Sequence, residues 1–229
     1  TFSDRRMNNL LSEAYLAAEK FLAFQNLEQN QQLKERLLLQ ELQRRHLDEW
    51  FFKEAQKNIQ QLEEKPIKQW EEDLALYQMN RQIYHHPHQV LRLQPGAPTI
   101  VKMDQQIDLV YLLEKATIIN EMLFRNRILK NEQHEVAEAL SRWQAASKDL
   151  SHPAIDLYKM RFEYVAEEKL EQYQALRQHF LESYEQLNQK EQKTHLISLI
   201  NDSMRLIKSG ELDDTDCLTL YQLGLRLGI

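Results

Sequence analysis

Apolar residues recur at helical spacing along almost the whole chain. Met7, Leu10, Leu11, Ala14, Tyr15, Ala18, Phe21 and Leu22 form a wide stripe over residues 3–25. A stripe that wide predicts a helix packed against more than one neighbour. After a weak polar break over residues 27–32, Leu33, Leu37, Leu38 and Leu42 mark a second helix. Leu47, Trp50, Phe51, Ala55, Ile59 and Leu62 mark a third, which should stop at Lys65-Pro66 because proline pushes its predecessor out of the α region. A fourth runs from about Ile67 through Trp70, Leu74, Tyr77 and Ile83 to His86-Pro87.

Gln94-Pro95-Gly96-Ala97-Pro98 has the highest density of helix breakers in the chain and predicts an exposed connector. Beyond it, Asp104 is the expected N-cap of a helix through Ile107, Val110, Tyr111, Ala116, Ile118, Met122 and Ile128. Val136, Leu140 and Trp143 mark the next. Ser151-His152-Pro153 combines polar capping candidates with a proline whose missing N–H costs nothing in a first turn. The helix it opens carries Ile155, Tyr158, Phe162 and Val165, and its partner carries Leu170, Tyr173, Leu176, Phe180, Tyr184 and Leu187. Leu196, Leu199, Ile200, Met204 and Ile207 define another, stopped at Ser209-Gly210. Asp213 and Asp214 offer cap oxygens for a final helix from Cys217, which is apolar all round and so expected to be covered on more than one side.

Composition removes the alternatives. Four glycines and five prolines in 229 residues are too few for the turns of an all-β fold or the phosphate loops of a parallel α/β fold. The expected fold is all-α: about ten helices stacked as antiparallel hairpins. Pairs starting near Asp104, Pro153 and Glu191 give spacings of roughly 49 and 38 residues, in the range of helical-repeat arrays. The expected division is 1–93 as an N-terminal helical region, 94–103 as a connector and 104–229 as helical repeats, with one continuous solenoid as the favoured alternative. A net charge of −6 argues against nucleic-acid binding and against an anionic membrane surface. Residues 1–25 carry charges throughout and lack a signal-peptide pattern, so a cytoplasmic location is expected. The first residue is not Met and the last are apolar, which suggests a piece of a longer protein.

The second half resembles uncharacterised bacterial proteins of tetratricopeptide-like helical repeats. The resemblance rests on Tyr111-Leu112-Leu113-Glu114-Lys115, Asn120-Glu121-Met122-Leu123, Asn126-Arg127, Leu157-Tyr158, Asn201, Lys208-Ser209-Gly210-Glu211 and Leu220-Tyr221, and is diffuse over about residues 104–229. The tetratricopeptide signature itself is met in no window. The likeness implies a superhelical scaffold and carries over no catalytic or binding residue.

Chemistry-bearing clusters are few. His85-His86-Pro87-His88 invites a metal, but neighbouring helical residues point about 100° apart, and a polar helix end is the expectation. His134 lacks the second histidine of a zincin motif. No Glu-x-x-His occurs for a di-iron bundle, and the pairs Glu71-Glu72, Glu167-Glu168 and Asp213-Asp214 are ordinary for an acidic helical chain. Cys217 is expected in the core. Arg5-Arg6, Arg44-Arg45 and Arg125-Asn126-Arg127 are expected on solvated or salt-bridged faces. Trp50, Phe51 and Phe52 span about 200° of helix, so at least one ring must point away from the hairpin. No catalytic, cofactor or metal residue, and no cofactor, is assigned. The expectation is a non-enzymatic scaffold binding a protein or peptide, with possible association through the C-terminal helix. An all-helical enzyme or metalloprotein with a site assembled from distant residues is the alternative.

Overall fold

The computed structural model describes residues 4–87, 100–129 and 135–228. Its regular structure is helical: α1 (Asp4–Gln29), α2 (Gln31–Arg44), α3 (Asp48–Glu63), α4 (Trp70–Tyr84), α5 (Ile100–Ile128), α6 (Ala137–Ser147), α7 (Pro153–Glu167), α8 (Leu170–Ser183), α9 (Gln189–Ser209) and α10 (Leu218–Leu227). No strand occurs among the described residues, so the fold is all-α. The breaker-rich stretch 94–98 lies outside the described residues. The chain forms two compact units, Thr1–Glu64 with Ala75–Met103, and Lys65–Leu74 with Asp104–Ile229.

In the first unit, Leu39, Leu42, Phe51, Ala55, Leu62, Leu76, Met79 and Ile83 form the core. The stripe expected on α2 is corrected: Leu37 and Leu38 are exposed, while Leu39 joins Leu42 inside. Five leucines within Leu33–Leu42 allow more than one inward face, and packing on α3 selects the face that meets Phe51 and Ala55. Of the aromatic trio, Phe51 is buried, Phe52 half-buried and Trp50 59 % exposed. The expectation that α1 packs on several neighbours also fails among the described residues. Met7, Leu10, Leu11, Tyr15, Phe21 and Leu22 are all exposed, and only Leu27, near the junction with α2, is half-buried.

In the second unit, local chemistry sets the helix ends. Pro153 opens α7, with the His152 ring nitrogen accepting from the Ala154 N–H at 3.3 Å. Asn188 and Glu191 form a reciprocal capping box on α9, and Gly210 closes that helix at φ +80°. Asp213 and Asp216 cap a 3-10 turn, Asp214–Cys217, that leads into α10. Asp104 is not a cap. α5 begins at Ile100, because extending it backward buries Met103. α7 ends without a glycine, at Glu168, held at φ +53°.

Trp143 anchors this core. It is wholly buried, donates from Nε1 to the Leu112 carbonyl at 2.8 Å and meets the Phe162 ring edge-on at 5.0 Å. α7 packs on α8, and α9 on α10. A constant register ties α5 to α7 and α7 to α9. Thr117 meets Tyr158, Asn120 meets Arg161 and Arg127 meets Glu168, each across 41 residues. Arg161 meets Asp202 and Tyr164 meets Arg205 across the same 41. Cys217, Leu220 and Gly224 face inward; Leu218, Tyr221 and Leu225 are exposed, so α10 is covered on one side and bare on the other.

Trp143→Phe should destabilise this unit by about 1–3 kcal/mol, from one lost hydrogen bond and a partial cavity. Denaturant unfolding measures it, and a loss under 0.5 kcal/mol would mean that Trp143 does not anchor the core.

Candidate functional site

Helical spacing places Asn120, Phe124 and Arg127 on one face of α5, Arg161 and Val165 on one face of α7, and Ser198, Asn201, Asp202 and Arg205 on one face of α9. The 41-residue register sets these faces around a cleft of about 340 Å³. Its floor is ionic. Arg161 and Asp202, each nearly buried, pair at 2.6 Å, and Arg161 Nε donates to Asn120 Oδ1 at 2.7 Å. Arg127 donates to the second Asp202 oxygen at 3.1 Å and to Glu168 at 2.9 Å. Arg205 donates to the same Glu168 oxygen and to the Tyr164 hydroxyl, both at 2.8 Å. Burial, reinforced by Asp202, pushes the Tyr164 phenol up, so that it remains protonated.

Three guanidiniums thus meet two carboxylates, and the cleft keeps a net positive charge in an acidic chain. The left-handed backbone at Glu168 turns its carboxylate back toward Arg127 and Arg205. A non-glycine residue there is strained. Both arginine contacts help to hold it. The cleft wall is apolar: Leu123 and Val165 are half-buried, while Phe124 and Ile128 are 41 % and 58 % exposed.

The residues singled out by sequence fare differently. Arg127, expected on a solvated or salt-bridged face, is salt-bridged to Glu168 and Asp202 and belongs to the site. Arg44 and Arg45 both pair with Glu41 at 2.6 Å. His85 is exposed, whereas His86 is buried against Phe51 and Phe52, with ring centroids 4.8 Å away. Those two therefore do not share a site, and His88 and His134 lie outside the described residues. No group of three or more His, Cys, Asp or Glu is placed to hold a metal ion among the described residues. No described helix is long and apolar enough to cross a membrane. Of the residues that carry the tetratricopeptide-like resemblance, Asn120, Leu123, Arg127 and Asn201 line the cleft. The arginine network itself leaves no local signature, since its partners are 37 to 75 residues apart.

A second polar cluster lies between Trp70, Tyr158 and Glu191, around a cavity of about 30 Å³. That volume is about one water molecule's share of liquid, far below a substrate pocket. Burial, helped by Asp73, raises the Glu191 carboxyl to about 7. His195, packed on the Tyr158 ring at 4.6 Å, is driven down to about 3 by burial and Arg161.

These two groups give opposite pH dependences. The raised Glu191 pKa favours the fold below about 4.5, a contribution lost as pH rises through 7. The lowered His195 pKa favours the fold above about 6.5, a contribution lost as pH falls toward 3. Between pH 7 and 5 each amounts to roughly 2 kcal/mol and they offset. Relative to the parent, Glu191→Gln should lose stability on moving from pH 7 to 5, and His195→Leu should gain it. Melting temperatures at the two pH values measure this, and shifts of the same sign would contradict the assignment.

No family model, curated protein or solved structure matches this chain.

Proposed function

We propose that the second unit is a non-enzymatic helical-repeat scaffold that captures a partner protein in the cleft between α5, α7 and α9. The observation that carries this reading is the 41-residue register. Asn120, Arg161 and Asp202 are equivalent positions, and contact passes from each of their helices to the next; Thr117 and Tyr158 repeat the same offset between α5 and α7. Stacked helix pairs place equivalent positions along one surface, which such arrays use for binding. The unit is longer than the roughly 34 residues of a tetratricopeptide repeat, so the likeness to that family is one of architecture.

The cleft suits a segment that carries an acidic residue beside a bulky apolar one. Its carboxylate meets Arg127 and Arg205, and its apolar side chain lies against Phe124 and Ile128. Arginine pairs with carboxylates bidentately and is enriched at interfaces. The bare side of α10, with Leu218, Tyr221 and Leu225, gives the partner a further apolar surface.

A displayed library of random 12-residue peptides tests the reading. The parent should enrich sequences with Asp or Glu within four positions of Leu, Ile, Phe or Trp. Arg205→Ala with Phe124→Ala, both partly exposed positions, should weaken the selected peptides at least tenfold while the circular dichroism stays unchanged. Absence of enrichment, or selected peptides indifferent to both substitutions, would refute it.

A further inference from the structure

α1 spans about 39 Å at 1.5 Å per residue and carries a second binding feature, separate from the cleft. Met7, Leu10, Phe21 and Phe24 are 48, 47, 66 and 68 % exposed. Written as heptads, Met7, Ala14 and Phe21 occupy the a positions and Leu10, Ala17 and Phe24 the d positions. We propose that α1 pairs with α1 of a second copy of this chain, antiparallel, about a two-fold axis between Ala14 and Ala17.

The sequence matches itself when reversed about that axis. Met7 faces Phe24 of the second copy, Leu10 faces Phe21, and Ala14 faces Ala17. The small layers lie at the centre, where two crossing helices approach most closely, and the large side chains fill the widening gaps at either end. The flanking g positions are complementary: Glu13 of one copy lies against Lys20 of the other, and symmetry repeats the pair. Both residues are exposed. A parallel pairing opposes neither charge with its complement and aligns the helix dipoles unfavourably. Leu11 and Ala18, at the e positions, extend the apolar seam, and Tyr15 and Leu22 border it. Covering this face buries on the order of 800 Å² per chain, the area a stable interface needs per partner.

Sedimentation equilibrium of the full chain between 1 and 100 µM reads the outcome. The parent should be a dimer. Leu10→Asp with Phe21→Asp, at positions exposed in the isolated chain, should give a folded monomer. Glu13→Lys should weaken dimerisation at least tenfold by opposing two cations twice, and Glu13→Lys with Lys20→Glu should restore it. A parent that remains monomeric throughout would overturn the proposal, as would a dimer insensitive to the charge exchange. Capture of α1 by anionic lipid vesicles in preference to self-association would also overturn it.

Discussion

The Arg161–Asp202 pair is the constraint on which the second unit depends. Two charges taken out of water at 2.6 Å are sustained only if their remaining hydrogen-bonding positions are filled. Asn120 fills one on Arg161, and Arg127 fills the second oxygen of Asp202. Those demands tie three helices together in one register, because Asn120, Arg161 and Asp202 can meet only if α5, α7 and α9 lie side by side at a 41-residue offset. The apolar core around Trp143 and Phe162 supplies the burial; the ionic ladder selects one alignment among those the core permits.

The same ladder makes the cleft. Arg127 is held on two carboxylates and Arg205 on Glu168 and Tyr164, so both guanidiniums stand in fixed positions beside Phe124 and Ile128. An incoming carboxylate then meets arginines whose ordering cost is already met in the free protein. The strained turn at Glu168 belongs to this arrangement, since a relaxed helix end would carry its carboxylate elsewhere.

Much of the fold was legible in local signals. Pro153, Gly210 and Asp213 act at helix ends with chemistry that depends on their immediate neighbours alone. The Trp50–Phe52 trio had to expose a ring for reasons of helix geometry. Where burial chooses between faces, local reading failed: Leu37 and Leu38 lost to Leu39, and Met103 drew α5 back past Asp104. The stripe on α1 is real, but its central residues stay exposed among the described residues. The cleft was hidden for another reason. Arg127 looked like any surface arginine, and only three-dimensional packing brings Asp202 to it across 75 residues. The expected spacings of roughly 49 and 38 residues came from helix starts, whereas side-chain register fixes a single offset.

A double-mutant cycle on Arg161 and Asp202 is the most direct test of the claim that this pair sets the alignment of α5, α7 and α9. Arg161→Met and Asp202→Leu should each cost about 3–5 kcal/mol by stranding a buried charge, and together should cost much less than their sum. Additive losses, or single losses under 1 kcal/mol, would contradict it.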